Sequence, residues 1–165
     1  MITIAAITPD DFATIRSLGD VIWHQHYASM ITREQIDFML AGRYSDDRLQ
    51  TYVGSDERAM WIVRHSGEAI GYCACSVPPG EPEAKLEQVY LLADRRGGGV
   101  GGRMIFHAEE WARARGARSI YLTVNKANKG SIAVYERRGY AIRESAVFDI
   151  GGGYVMDDYV MAKAL

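Results

Sequence analysis

The chain of 165 residues carries 19 lysines and arginines against 21 acids, a formal net charge of −2, with 48% hydrophobic and 24% charged residues. That length bounds it at one domain, residues 1–165, on the usual size of roughly 100–200 residues per domain, and the composition excludes a disordered chain. The near balance of charge supplies no general pull toward nucleic acid or an anionic membrane surface, no segment approaches the ~20 apolar residues of a membrane span, and no secretory signal opens the chain; a cytoplasmic protein without nucleic-acid or membrane partners is expected.

Residues 2–7 form a short apolar run, read as a first or edge strand. Thr8, Pro9, Asp10 and Asp11 then supply a helix start: an N-cap, a proline in the first helical position and acids at the positive end of the dipole. Phe12, Ile15, Leu18, Ile22 and Trp23 recur at helical spacing to about Tyr27. Thr32 and Gln35 have capping-box spacing ahead of a second helix with Ile36, Met39 and Leu40 on its buried face, and Ser45-Asp46-Asp47 opens a further short turn. His24 and His26 splay along the first helix and read as surface or substrate-pocket residues, since no third ligand accompanies them for a metal.

From residue 60 the pattern becomes β-rich. Residues 60–64 and 69–77 flank Ser66-Gly67-Glu68 and predict a hairpin. Cys73 and Cys75 share one face of its second strand, where a bridge would strain the backbone, and they read as small core residues. A proline-rich loop at 78–82 leads into a strand at 85–92 and then a run of glycines. Val100, Met104, Ala108, Trp111, Ala112 and Arg115 make a helical stripe, with Glu109, Glu110 and Arg113 off it. Residues 119–124 form a strand, residues 131–138 a short helix closed by Gly139, and residues 140–150 and 154–164 two strands about a glycine turn. The order predicts an α+β fold: a mixed sheet of about six or seven strands, a parallel pair at its centre and antiparallel edges, flanked by about four helices.

The sharpest chemical feature is Arg96-Gly97-Gly98-Gly99-Val100-Gly101-Gly102 between a strand and a helix. Glycine lets the backbone approach a ligand closely, and a helix start offers unpaired N–H groups and positive potential, which suits a phosphate or pyrophosphate. Gly97, Gly99 and Gly102 fit the dinucleotide fingerprint only weakly, because no acid ends the following strand, and no Gly-Lys-Ser/Thr follows for a nucleotide P-loop. Arg96-x-x-Gly99-x-Gly101 resembles the acyl-CoA signature of the GNAT superfamily of N-acetyltransferases. Leu122-Thr123-Val124-Asn125, Asn128, Ala133, Tyr135-Glu136 and Gly139-Tyr140 are similar to its second half, so the likeness covers about residues 85–140.

The resemblance implies a GNAT-like fold, acetyl-CoA as cosubstrate without a metal, and direct transfer of acetyl to a primary amine. Cofactor contacts fall on Gly97, Gly98, Gly99, Val100, Gly101 and Gly102 through their backbone, with charge from Arg96 and Arg103. Asn128, ahead of Ser131, holds the pantetheine arm or caps the following helix. In this fold a bulge ahead of the glycine loop frees a backbone N–H for the thioester oxyanion, here that of Leu91 or Leu92. Tyr135 matches the general acid that protonates the departing thiolate. The usual base position holds Lys85, so Glu87, on the same strand face, is the candidate base, a solvent-facing glutamate being the alternative. Trp23, Tyr27 and Asp157 resemble acceptor-side residues of the bacterial polyamine-acetylating branch, which favours a polyamine or small amine as acceptor. A homodimer, as relatives often form, and a non-catalytic acyl-CoA sensor stay open beside these readings.

Overall fold

A computed structural model describes residues 1–165. Strands β1 (Ile2–Ala6), β2 (Arg58–His65), β3 (Glu68–Ser76), β4 (Glu83–Leu91), β5 (Ser119–Asn125), β6 (Ala141–Gly151) and β7 (Tyr154–Ala164) form one seven-stranded sheet in the order β1-β2-β3-β4-β5-β7-β6. Every neighbouring pair is antiparallel except β4 and β5, so the parallel pair lies at the centre as the sequence predicts. The β2–β3 hairpin turns on Ser66 and Gly67, both at positive φ (50° and 88°), the geometry that matches the twist of the flanking strands.

Alternation along the strands divides the core into two layers. Cys73, Cys75, Ala84 and Leu86 face helix α4 (Val100–Ala114) through Met104, Ala108 and Ala112. Tyr72 and Ala74 face the opposite side, where α1 (Phe12–Tyr27), α2 (Arg33–Arg43) and the short α3 (Asp46–Gln50) bring Ile15, Ile22, Ile36 and Leu49. Helix α5 (Lys129–Arg137) packs Ile132, Val134 and Tyr135 on the α4 side. Five helices thus flank the sheet where about four were expected. The additional one is the turn at Ser45, whose hydroxyl accepts from the Arg48 N–H at 3.3 Å and carries the chain one turn further.

Three local expectations change. Pro9–Asp11 form a 3₁₀ turn ahead of α1, and the Thr8 N–H donates to Asp11 Oδ2 at 2.9 Å. The Thr32 hydroxyl caps α2 through the Gln35 N–H at 3.1 Å, but the Gln35 amide reaches across to the Val155 carbonyl at 3.0 Å instead of completing the box, tying α2 to β7. Glu109, placed off the apolar stripe of α4 by its charge, is 1% exposed. It is accommodated because Lys163 Nζ and the Tyr140 hydroxyl both donate to its Oε2 at 2.9 Å, the pairing a buried carboxylate requires.

What positions the site is a register shift on β4. Ala74 pairs with Gln88 and Cys75 with Leu86, which leaves Glu87 as one extra residue on β4. Such a bulge bends its strand and increases the local twist. Parallel pairing with β5 accordingly stops after Glu83–Lys85 meets Ser119–Tyr121, and beyond that point the two strands diverge. The gap between them opens into a cavity.

Candidate active site

The cavity holds about 820 Å³ and runs from the glycine loop and the start of α4, past the free side of β4, to an aromatic wall on α1. At its loop end Gly99 caps α4 at φ 81°, a left-handed conformation that glycine adopts without strain. The Arg103 N–H already donates to the Gly99 carbonyl at 3.1 Å, so Val100, Gly101 and Gly102 carry the unpaired N–H groups of the first turn. Gly97, Gly99, Gly101 and Gly102 line the cavity together with Arg96, Arg137 and Arg138. Arg138 Nη2 donates to the Gly102 carbonyl at 3.1 Å, which holds its cationic head beside the helix start. Backbone donors, the positive helix end and three guanidinium groups give this end a chemistry suited to an anion.

Along β4 the two sides of the strand differ. The Leu92 N–H donates to the Ile70 carbonyl at 2.9 Å, which marks 70 and 92 as a hydrogen-bonded pair. Alternation in an antiparallel ladder makes the next pair, Gly71 and Leu91, a non-hydrogen-bonded one, so the Leu91 N–H and C=O point away from β3 into the gap. The Leu91 carbonyl accepts from Arg96 Nε at 3.2 Å, and its N–H faces the cavity where β5 has turned aside. Gly71 permits this packing, since an added Cβ would collide with the Tyr90 carbonyl oxygen. Of the two residues considered for a freed N–H, the geometry selects Leu91; that of Leu92 is spent in the sheet.

Tyr135, on α5, enters the same space. Its ring meets Tyr140 edge-on at 5.8 Å, and its hydroxyl has no hydrogen-bond partner in the protein. Burial, with Tyr90 nearby, raises this hydroxyl well above its ordinary value and keeps the proton on it. Asn128 Oδ1 accepts from the Ser131 N–H at 3.2 Å, capping α5, and its amide donates to His26 Nε2 at 2.8 Å. Burial and the charge of Arg96 lower the His26 pKa, so the ring accepts as the neutral species.

Opposite lies the aromatic wall. Trp23 packs on Tyr27 at 4.9 Å and on Tyr90 at 5.3 Å, and the Tyr27 and Tyr90 hydroxyls meet at 3.2 Å. Glu87 reaches the cavity edge in another state than a free base. The Tyr52 hydroxyl donates to its Oε1 at 2.5 Å and Arg58 Nη2 at 2.9 Å. Burial alone would raise the Glu87 carboxyl, but these donors outweigh it and hold the carboxyl below its usual range. A carboxylate already paired and weakened as a proton acceptor does not suit the base role assigned from sequence.

The matching family is described as the acetyltransferase (GNAT) family, and its model covers residues 23–140, more than half of the chain. The chain belongs to the GNAT acetyltransferase family. Among curated relatives, an uncharacterized N-acetyltransferase of Methanocaldococcus jannaschii is 32% identical over 94 residues, 54% of this chain and 42% of that protein. Streptothricin acetyltransferase of Streptomyces lavendulae is 31% identical over 87 residues, 53% of this chain and 46% of that protein. Each match therefore spans less than half of the relative's length. Among solved structures, the PaiA N-acetyltransferase of Thermoplasma acidophilum, crystallised with coenzyme A, superposes with a TM-score of 0.86 at 19% identity over 100% of this chain and 99% of that one. This GNAT chain shares that fold.

Within this GNAT cavity the structure brings together Trp23, Tyr27, Glu87, Leu91, Arg96, Gly97, Gly99, Gly101, Gly102, Asn128, Ser131 and Tyr135. Leu92, Gly98, Val100 and Arg103 do not line it, and the Arg103 side chain is exposed. Asp157, expected at the acceptor end, is exposed and pairs with Lys126 at 2.8 Å; strand alternation turns its neighbour Asp158 inward instead. Arg43 is among the lining residues not assigned from sequence, with Tyr90, Arg137, Arg138 and Asp158, while His26, read as a surface or substrate-pocket residue, lines the cavity as partner of Asn128. Only the period of α2, which sets Arg43 four residues after Met39 on its buried side, carried any signal for Arg43.

Proposed function

We propose that this protein transfers acetyl from acetyl-CoA to a primary amine by direct attack, without an acyl-enzyme. The observation that carries this reading is one cavity in which the open start of α4, the unpaired Leu91 N–H and the unpartnered Tyr135 hydroxyl converge. The CoA pyrophosphate would lie on the N–H groups of Gly101 and Gly102 at the start of α4, with Arg96 and Arg138 supplying charge. The pantetheine arm would follow the free edge of β4 toward Leu91. The thioester carbonyl would then accept from the Leu91 N–H, a donor fixed before the reaction and aimed where negative charge develops.

Attack forms the C–N bond, collapse of the tetrahedral intermediate breaks the C–S bond, and the departing thiolate takes the Tyr135 proton. An alkylamine arrives as the ammonium, with only about one part in a few thousand neutral near pH 7, so one proton must leave before attack. Glu87, held by Arg58 and Tyr52, is a support of the cavity wall in this reading and not the proton acceptor. A free-thiol release assay with acetyl-CoA and a panel of amines tests the proposal, alongside the rise in melting temperature with CoA. A CoA-dependent rise with no thiol release from any amine would favour the sensor reading, and the absence of both would refute acetyl-CoA as ligand.

A further inference from the structure

The acceptor end of the cavity holds two opposite charges that the protein leaves unpaired. Arg43, in the last turn of α2, stands over the Trp23 ring at 5.2 Å, and none of its five N–H groups has a hydrogen-bond acceptor or a carboxylate within 4.0 Å. Its charge is fixed: burial disfavours it, but the surrounding Tyr90, Tyr44, Tyr27 and Tyr52 outweigh this and raise its pKa. Asp158, on β7, is 5% exposed and its Oδ1 has no hydrogen-bond partner. Both side chains line the same cavity. Arg43 is near enough to act on the Asp158 carboxyl electrostatically, yet the two form no ion pair. A protein that needed only to neutralise these groups would join them. Lining one cavity without joining, they present a plus and a minus to whatever enters.

Resting on the acetyl-transfer reading, we propose that the acceptor is an amine that also carries a carboxylate, an amino acid or a close zwitterionic analogue, whose carboxylate binds Arg43 and whose ammonium binds Asp158. Arginine is suited to this by its planar fork, which engages a carboxylate through two parallel bonds. Trp23, Tyr27 and Tyr90 supply an aromatic wall of the same cavity. A polyamine, favoured by the sequence likeness, brings a second cation toward Arg43 and offers it no acceptor.

Asp158 also completes the proton inventory. Burial and the neighbouring Asp157 raise its carboxyl to about 6, partly offset by Arg43, Lys85 and Lys126, and Tyr90 faces it as a neutral phenol; this makes it a better proton acceptor than an ordinary aspartate. Asp158 takes one ammonium proton, and the neutral amine forms the C–N bond. The C–S bond breaks and the thiolate takes the Tyr135 proton. Tyr135 recovers a proton from the new amide nitrogen, and Asp158 releases its own to solvent. The sum is ammonium plus thioester giving amide, thiol and one proton.

The test measures kcat/KM by thiol release for the common amino acids, their carboxamides, the decarboxylated partners (lysine against cadaverine, tyrosine against tyramine) and spermidine. At least one amino acid is expected to exceed its carboxamide and its decarboxylated partner by more than tenfold. Arg43→Met should bring that ratio to about one, and Arg43→Lys should retain part of it. Melting of each variant with and without CoA checks folding, and a protective effect of the preferred amino acid on the CoA complex, lost in Arg43→Met, reads binding without turnover. A CoA-dependent rise with no amino acid acetylated, or with carboxamides or spermidine equal to the best amino acid, overturns this proposal and leaves acetyl-CoA binding standing. No CoA-dependent rise at all refutes the reading beneath it.

Discussion

Replacing Asp158 by asparagine should stabilise the unliganded protein at neutral pH while removing its activity. Asp158 is 5% exposed, and burial together with Asp157 lifts its carboxyl to about 6 in the fold. In the unfolded chain an aspartate titrates near about 3.9. Between these values the native state binds more protons than the unfolded state, so stability falls as pH rises through this window and stays reduced above it. At about 1.4 kcal/mol for each factor of ten, the ionised carboxylate costs the fold about 3 kcal/mol above pH 7. Asparagine copies the shape of the protonated acid and carries no charge. Asp158→Asn should therefore match the wild type below about pH 4 and exceed it above pH 7, by roughly 6–12 °C for a chain of this size. Thermal melts at half-unit pH intervals, followed by circular dichroism without ligand, measure the difference. A difference that does not depend on pH, or a variant less stable at pH 8, would refute the assignment of a strained, unpaired carboxylate at this position.

Other variants separate the parts of the site. CoA at a hundred times its dissociation constant should stabilise the wild type by about 2.7 kcal/mol, a rise of roughly 5–11 °C. Gly101→Asp should abolish that rise without lowering the melting temperature of the free protein, because a side chain at 101 meets open space and a carboxylate suits a helix start but opposes a pyrophosphate. Tyr135→Phe should reduce turnover by about 10²–10⁴-fold with little change in the CoA-dependent rise, whereas parallel loss of both would assign the ring to packing. Glu87→Gln should behave oppositely to Asp158→Asn. The Glu87 carboxyl sits below its ordinary value in the fold, so its pairing contributes stability above about pH 4.3 that is lost as pH falls through the folded value. Its loss should cost about 1–3 kcal/mol at pH 7 and nothing in acid, with the pH profile of turnover unchanged.

The loop end of the cavity was legible because it is written in consecutive residues. A helix start reached through glycines, of the kind that suits a pyrophosphate, is spelled by Arg96 to Gly102 without any tertiary information. The strands and helices were equally plain, since both core layers follow periods of two and of 3.6 residues. Errors arose where tertiary partners override local signals. Glu109 reads as a surface acid until Lys163 and Tyr140 are brought to it, and the Gln35 amide prefers the Val155 carbonyl to its own helix. The bulge at Glu87 had no signature, because one extra residue in a strand alters neither composition nor the hydrophobic pattern enough to be seen. Yet that residue splays β4 from β5 and turns Leu91 toward the gap.

The acceptor half was hidden for a different reason. Its two charges come from the end of α2 and the middle of β7, which the sheet order joins only after β7 has inserted between β5 and β6. Arg43 has no motif, since an arginine at a helix C-terminus already suits the helix dipole. Register decides which aspartate matters: Asp158 stands opposite Asn125 on β5 and faces the cavity, while Asp157 is left to Lys126 at the surface. A slip of one residue in β7 would exchange them and remove the negative pole of the site. The Gln35 amide bonded to the Val155 carbonyl links that strand to the helix carrying Arg43. This contact therefore ties the placement of one charged head to that of the other.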